Sequence, residues 1–432
     1  MGIRRKDYFL LVLLISTLMT FCGCSSNKQP SVLPSQETET AGNGSENEPV
    51  MIRLATAMDP ARLDPYKKMI NLWNTEHPHI QVELENTPYT DYWQKLRIMT
   101  ASNSMPDVWV FTPGVGAHWL RNDQILSLDP FIKDDPTLNL QDFNKMMIEY
   151  MTYKGSIYGF PYDVSAQVLF YNKDLFDQAQ LEYPTNQWTF EDVRNAAKKF
   201  VKLKSDKGQV YGLLSTINGD WTADSYYRAF GGSLITDDGK VGINTKGGIA
   251  ALQYFKDNIK LGITPKPGPG QSSRPIWNNG LAAMMADGGW AIPSFKDVDF
   301  HWDMVRLPAG PAGQFTTGLG GTFVISKQTK YPKEAYEILK YLTSTDSLNE
   351  IVTKTEAGVP GRISSSAELT PVMKKYADLI NNAIPYNALD GSLELQDILS
   401  KEIEQLLYGI KTPEEIAQFI EKNGNKALQA KN

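Results

Sequence analysis

The chain has 432 residues, of which 41% are hydrophobic and 21% are charged, with two cysteines and a formal net charge of −6. This length accommodates roughly two or three domains, and the composition excludes a disordered, fibrous or disulfide-stapled protein. Without the first 23 residues, which hold three cations and one anion, the charge is −8. So acidic a protein is a poor ligand for nucleic acid.

The first 23 residues have the layout of an export signal. A basic start at residues 4–6 precedes an apolar run over residues 8–21, which is too short to span a bilayer. Residues 21–24, FCGC, resemble the lipobox of bacterial lipoproteins, which implies cleavage before Cys24 and acylation of Cys24. The alternative is an ordinary secretory signal with two incidental cysteines.

The segment after this signal, residues 24–50, is predicted to be a lipidated cysteine followed by a flexible tether. Its residues are mostly Ser, Pro, Asn, Gly and Glu, which cannot bury enough apolar surface to offset the entropy of ordering. We therefore expect a protein anchored by lipid to the outer face of a cell membrane, as in Gram-positive bacteria.

From residue 51 the chain alternates between the strand and the helix periodicity. Strands are predicted at 51–55, 80–85 and 106–111, and the helices between them are marked by Tyr66, Ile70 and Trp73 and by Tyr92, Leu96 and Met99. Crossovers of this length indicate parallel strands covered by helices. Because such sheets bind ligands at the carboxyl ends of their strands, residues 109–116 are a candidate edge of a site.

Later elements are marked by their first residues. Residues 189–192 form a capping box before a helix, and Pro332 suits the first turn of another. Residues 237–239, DDG, indicate a hairpin turn. The apolar stripes of the two helices, which we interpret as core, are Val193, Ala196, Ala197, Phe200 and Val201 in the first and Ala335, Ile338, Leu339 and Leu342 in the second.

Several kinds of chemistry have no motif in this sequence. The four histidines show no metal-ligand or triad spacing, and no phosphate loop or nucleophile elbow occurs. Residues 318–321, GLGG, precede a predicted strand, whereas a dinucleotide loop must precede a helix. We therefore expect no metal and no cofactor. A pair of carboxylates for glycoside hydrolysis stays open, because no spacing selects one pair.

Two tryptophans follow turn-like, glycine-containing segments instead of lying on helical stripes. Trp221 follows Asn218-Gly-Asp and Trp290 follows Asp287-Gly-Gly. A sugar ring has an apolar C–H face and a rim of hydroxyl groups, so its site needs flat aromatic surfaces and a few fixed polar groups. For each tryptophan, core packing and ligand stacking are both open.

Seven segments, in order along the body, resemble family 1 extracellular solute-binding proteins, the sugar-binding components of ABC importers. They are residues 106–108, 155–176, 188–193, 229–233, 279–290, 320–326 and 359–362. The resemblance implies the α/β, type II periplasmic-binding-protein fold: two lobes, each a mainly parallel sheet with flanking helices, and a ligand cleft between them. Expected limits are 51–160 with about 311–370 for the N-terminal lobe, and about 161–310 with about 371–432 for the C-terminal lobe, with a hinge near 159–161.

The resemblance also implies which residues bind ligand. Comparison with maltose-binding relatives points to Phe111, Asp163, Ser165, Trp221 and Trp290, and the matched segments add Gly320 and Arg362. Ser165 and Gly114 stand where the maltose binders have acidic residues, which argues against maltodextrin but leaves a carbohydrate as the expected ligand.

We therefore interpret the chain as a monomeric, non-enzymatic receptor that captures a carbohydrate, expected to be an oligosaccharide, and delivers it to an ABC transporter permease. Two alternatives differ in class: a surface glycosidase or polysaccharide-processing lipoprotein, and a receptor for a non-sugar solute. A phosphate or polyamine ligand would require clustered charge. The matched segments offer chiefly Asp163 and Arg362.

Overall fold

The computed structural model describes residues 48–203, 205–215, 221–266 and 274–429, and for Ala61, Thr90, Pro113 and Trp221 the backbone alone. The predicted leader, Cys24 and the tether up to residue 47 lie outside the described residues. The described chain is built on two β-sheets with helices packed against them.

The strands of the described residues are β1 (Val50–Thr56), β2 (Ile80–Asn86), β3 (Val108–Phe111), β4 (Thr152–Tyr153), β5 (Ser156–Ile157), β6 (Gly159–Pro161), β7 (Asp163–Asn172), β8 (Tyr211–Leu214), β9 (Ser233–Ile235), β10 (Val241–Gly242), β11 (Ala282–Gly288), β12 (Trp302–Val305), β13 (Thr317–Leu319), β14 (Thr322–Ile325), β15 (Val359–Pro360) and β16 (Ile384–Pro385). The α-helices are α1 (Pro60–Glu76), α2 (Tyr89–Ala101), α3 (Pro113–Arg121), α4 (Asp129–Asp134), α5 (Lys145–Tyr150), α6 (Lys173–Gln178), α7 (Phe190–Phe200), α8 (Asp224–Phe230), α9 (Lys246–Lys260), α10 (Arg274–Asn278), α11 (Pro332–Leu342), α12 (Thr345–Leu348), α13 (Pro371–Ile380), α14 (Ser392–Leu407) and α15 (Pro413–Gln429).

The first sheet has the strand order β2-β1-β3-β14-β6. β1 pairs in parallel with β2 and β3, which confirms the parallel arrangement predicted from the alternating periods. β14 enters antiparallel between β3 and β6. The predicted helix stripes of α1 and α2 pack into the core on this sheet, with five of their six residues buried and Met99 partly buried, because their apolar residues recur every three or four positions.

The second sheet has the order β16-β13-β7-β11-β8, with β12 and β15 also paired to β7. All ten residues of β7 are buried. β7 runs antiparallel to β11, β12, β13 and β15, whereas β8 and β11 are parallel, as are β13 and β16. This sheet is therefore mixed, not mainly parallel as predicted. The reason is that its central strand, β7, enters from the first sheet and runs antiparallel to all four strands that pair with it.

The chain makes two very short passages between the two sheets and a longer one from β14 to β15, which pairs with β7. It leaves the first sheet at Pro161 and enters the second at Asp163, and it returns between Leu319 and Thr322. The return therefore lies at Gly320–Gly321, after the predicted boundary near residue 311, because β13 still pairs with β7. We call the group of lobe-joining residues around Asp163 and Gly321 the junction.

Other local predictions are also confirmed. The side chain of Thr189 and that of Asp192 form the reciprocal capping box at the start of α7, and Pro332 occupies the first turn of α11. β9 and β10 form the hairpin around residues 237–239. Of the two apolar stripes, every residue is buried except Val201, which is partly exposed. None of the helices in the described part of the chain is long and apolar enough to cross a membrane.

Candidate functional site

The junction is held together by the carboxylate of Asp163. Its Oδ1 accepts a hydrogen bond from the Gly321 amide at 2.5 Å, and its Oδ2 accepts one from the Ser165 hydroxyl at 3.3 Å. A Cβ atom on Gly320 would lie 1.8 Å from the carbonyl oxygen of Asp163. Only glycine permits this close approach of the two crossing segments, so Asp163, Ser165 and Gly320 of the predicted site do come together.

Helix α1 brings two further buried polar side chains to the junction. Arg62 is 6% exposed, and its Nη2 lies 3.8 Å from Asp163 Oδ2, which is too far for a hydrogen bond. Among the described residues, Arg62 Nε and Nη2 and the Tyr66 hydroxyl have no hydrogen-bond partner. Since each buried unpaired donor costs about 1–3 kcal/mol, this cluster is incomplete without an added partner.

The ionisation of these groups follows from their burial. Burial raises the pKa of Asp163, although Arg62, the Gly321 amide and the Ser165 hydroxyl act in the opposite direction. Burial alone would lower the pKa of Arg62, but Tyr66, Asp163, Tyr162 and Asp59 together outweigh it, so that pKa is raised and the guanidinium stays charged. Burial also raises the pKa of Tyr66, so its hydroxyl keeps its proton.

The junction therefore offers mostly donors. Arg62 Nε and Nη2 form one edge of the guanidinium, a fork that matches two neighbouring oxygen atoms. The acceptor beside this fork is the carboxylate of Asp163. It already accepts hydrogen bonds from the Gly321 amide and the Ser165 hydroxyl. A molecule with several hydroxyl or ether oxygens would satisfy both kinds of group.

A second part of the candidate site is the turn at Gly289–Phe295, which contacts α1. The half-buried indole of Trp290 lies over Gly288, where a Cβ would be 2.2 Å from the ring. The Tyr376 hydroxyl accepts from the Gly289 amide at 2.9 Å and donates to the Ala166 carbonyl at 2.7 Å. The turn that presents Trp290 is thus fixed to β7.

Gln167 continues the row of polar residues on β7. It lies on the same face of the strand as Asp163 and Ser165, and it pairs with Gly288 of β11. It is 3% exposed, and its Oε1 has no hydrogen-bond partner in the described residues. Gln167 Oε1 is thus a buried atom that can accept a hydrogen bond, whereas the unpaired atoms of Arg62 and Tyr66 on α1 can donate one.

The structure gives two other predicted residues protein partners. Phe111 is fully buried, with its ring against Gly116. Arg362 donates from Nη1 to Asp142 Oδ2 at 3.2 Å and stacks 3.9 Å from the ring of Phe143. These contacts favour packing roles for both, and their ligand-binding roles stay predictions.

The Trp221 side chain lies outside the described residues. No group of three or more His, Cys, Asp or Glu residues in the described ranges could hold a metal ion.

Sequence reasoning missed Arg62, Tyr66 and Gln167. The helical stripe accounts for Tyr66 as a core residue, and the carboxyl edge of the third strand points to residues 109–116. The same rule applied to β1 points to the start of α1, where Arg62 and Tyr66 lie one turn apart.

Comparison with protein families gives an independent assignment. The family described as bacterial extracellular solute-binding protein matches residues 59–348. The match begins beside α1 and includes both passages between the sheets that meet at Asp163.

Individual relatives are more distant. The arabinooligosaccharide-binding protein of Bacillus subtilis is 26% identical, over 88% of this chain and 86% of that protein. A maltooligosaccharide ABC transporter solute-binding lipoprotein of Streptococcus pneumoniae is 24% identical, over 84% of each chain. An ABC substrate-binding protein from Listeria monocytogenes, solved in complex with cycloalternan, superposes with a TM-score of 0.79 at 24% identity, covering 88% of this chain and 99% of that one. This last similarity establishes the two-lobed fold.

Proposed function

Because the chain belongs to the family of bacterial extracellular solute-binding proteins, we propose that it captures a carbohydrate between its two lobes and delivers it to an ABC transporter permease. The receptor acts by binding and release, without chemical change of the sugar. The ligand is an oligosaccharide, held at the junction and at the Trp290 turn.

The observation that carries this proposal is the set of unpaired polar atoms at the junction and further along β7. Arg62 and Tyr66 offer donors at the junction, and Gln167 offers an acceptor four residues beyond Asp163 on β7, all of them buried. Sugar hydroxyl groups donate and accept, so successive residues of an oligosaccharide can pair with these groups while an apolar sugar face rests on an aromatic ring. The relatives named above, which bind arabinooligosaccharides and maltooligosaccharides, support the same ligand class.

Ligand binding is tested by a thermal-shift screen of the purified protein against neutral mono- and oligosaccharides, followed by calorimetry. We expect at least one sugar to bind and no product to form. Arg62→Met removes the donor fork and should weaken binding about tenfold to hundredfold.

Arg194→Met is the matched control, because Arg194 pairs with Asn258 and stacks on Tyr254 inside the second lobe. An Arg62→Met protein that is folded and binds with unchanged affinity would refute the assignment of the junction. A sugar converted to product would favour the glycosidase alternative.

Membrane attachment is the second part of the proposal. Acylated Cys24 and the tether would hold the receptor at the outer face of the membrane. The streptococcal relative is named as a lipoprotein, which supports this part of the proposal. One acyl chain binds a membrane only marginally, whereas two or more anchor it stably. We expect Cys24→Ala to release the protein from the membrane fraction without changing its sugar affinity. A processed mutant that stays wholly membrane-bound would contradict the lipobox interpretation.

A further inference from the structure

The charged groups at the junction are nearly balanced. Arg62 faces Asp163, and close to them Arg274 bridges Asp59 and Asp287, with Nη1 to Asp59 Oδ2 at 2.7 Å and Nε to Asp287 Oδ2 at 3.1 Å. These two cations and three anions give a formal charge of −1. A ligand that carries a further negative charge would have no uncompensated cation to bind among these residues.

Asp163 cannot move away from this position. Its two oxygens are held by Gly321 on the returning segment and by Ser165 on β7. The Cβ position of Gly358 is 3.2 Å from Asp163 Oδ2, so backbone also closes that side. These contacts hold the carboxylate beside the donor fork of Arg62.

We propose, on the basis of the carbohydrate-binding function proposed above, that Asp163 makes this receptor selective for neutral sugars over uronic acids. The fork of Arg62 has the geometry for a carboxylate. A uronate bound there would place its carboxylate next to that of Asp163, and two like charges at about 4 Å repel strongly in a buried site. A neutral hydroxyl pair fits the same fork and can donate to Asp163.

Removal of the Asp163 charge should reverse this selectivity. Asp163→Asn keeps the shape and the acceptor for the Gly321 amide, and it removes the negative charge 3.8 Å from the guanidinium of Arg62, so the formal charge of the group rises from −1 to 0. A uronate carboxylate would then supply that charge. We expect the ratio of uronate to neutral-sugar affinity to rise on the order of a hundredfold.

The probes are matched mono- and oligosaccharides that differ only at C6 of one residue: glucose and glucuronate, galactose and galacturonate, mannose and mannuronate. Calorimetry measures each pair with the wild type, Asp163→Asn and the double variant Asp163→Asn/Arg62→Met. We expect the wild type to prefer the neutral member, the single variant to gain the uronate, and the double variant to lose that gain.

The wild-type measurement is decisive even if Asp163→Asn does not fold. A wild type that binds a uronate as tightly as its neutral partner overturns the inference and leaves carbohydrate binding intact. A folded Asp163→Asn variant with unchanged preference also overturns it. If no neutral sugar of either screen binds, the proposed function fails and this inference fails with it.

Discussion

Trp290 illustrates how a single side chain is prepared for a ligand. Its ring covers Gly288, its neighbour Gly289 is fixed by the Tyr376 hydroxyl, and one part of the indole stays exposed. The partial exposure, together with the contact between this turn and α1, favours a stacking surface for a sugar.

We predict that Trp290→Ala lowers sugar affinity about tenfold to hundredfold, since stacking of a sugar on the exposed part of the ring should contribute about 1–3 kcal/mol. Calorimetry measures the affinity, and thermal melting tests whether the variant is folded. Trp302→Ala is a suitable control, because Trp302 is also partly exposed but packs on Phe170 and Phe295. A folded Trp290→Ala protein with parental affinity would contradict the platform role.

At this scale the family motifs predicted residues that share one strand or one turn, and they missed residues that meet only in three dimensions. Asp163, Ser165 and Gly320 belong to matched segments and do come together at the junction. Arg62 lies about a hundred residues before Asp163 and outside every matched segment. The feature that marks Arg62 as a candidate ligand-binding residue is its lack of hydrogen-bond partners in a buried position. This feature is visible only in the three-dimensional structure.

Among the elements, α7 is the one whose start the sequence specifies most fully. The Thr189 hydroxyl accepts from the Asp192 amide at 3.2 Å, and Asp192 Oδ2 accepts from the Thr189 amide at 2.8 Å. All atoms of this motif come from four consecutive residues, which is why the pattern alone predicted it. Strand pairing in the second sheet, in contrast, depends on partners more than a hundred residues apart.

We predict that Thr189→Ala destabilises the protein by about 1 kcal/mol, because it removes the cap from the first turn of α7. Thr189→Ser should restore most of this stability, since serine keeps the hydroxyl. Urea unfolding of the three proteins gives the comparison. Equal free energies of unfolding for Thr189→Ala and the parent would show that the capping box adds nothing to stability.

A second prediction at this scale concerns the ion pair that ties the end of α4 to α11. Burial alone would raise the pKa of Asp135, but hydrogen bonds from Lys340 and Thr137 and the charge of Lys340 lower that pKa to about 2. The ionised form is therefore favoured in the folded protein. Its contribution to stability is fully present above the ordinary carboxyl pKa of about 4 and is lost as the pH falls from there to about 2.

Asp135→Asn should therefore unfold at lower urea concentration than the parent at pH 7, and the difference should shrink between about pH 4 and pH 2. Asp134→Asn is the neighbouring control, since the pKa shift and the Lys340 contact belong to Asp135. A difference in stability between parent and Asp135→Asn that stays constant from pH 7 to pH 3 would contradict a role for this pair.

The whole molecule depends on how two sheets are joined, and here prediction from sequence was least accurate. Periodicity indicates individual strands, but it carries no information about which sheet β13 joins. The predicted boundary near residue 311 therefore lies before the observed return at Gly320–Gly321. The direction of β7 relative to its neighbours likewise follows from the path of the chain through both sheets. Both features are properties of the assembled fold.

Arg274 also connects the two lobes, close to the Asp163 junction. It lies at the start of α10 in the second lobe, and its Nη1 reaches Asp59, which follows β1 of the first sheet, while its Nε is held by Asp287 of β11. Arginine can make both contacts at once because its donors point in different directions. A contact of this kind between lobes stabilises the closed form relative to an open one.

We predict that Asp59→Asn weakens sugar binding roughly two- to fivefold, mainly through faster release, because a partly exposed ion pair contributes about 0.2–1 kcal/mol. Added salt should weaken binding by the parent more than binding by this variant, since the variant has already lost the screened contact. Stopped-flow fluorescence gives the release rate, and small-angle scattering with saturating sugar gives the extent of closure. Lys375→Met, which removes a pair with Asp303 inside the second lobe, should change neither. If Asp59→Asn and Lys375→Met release sugar at the same rate as the parent, the Asp59–Arg274 contact does not hold the lobes together.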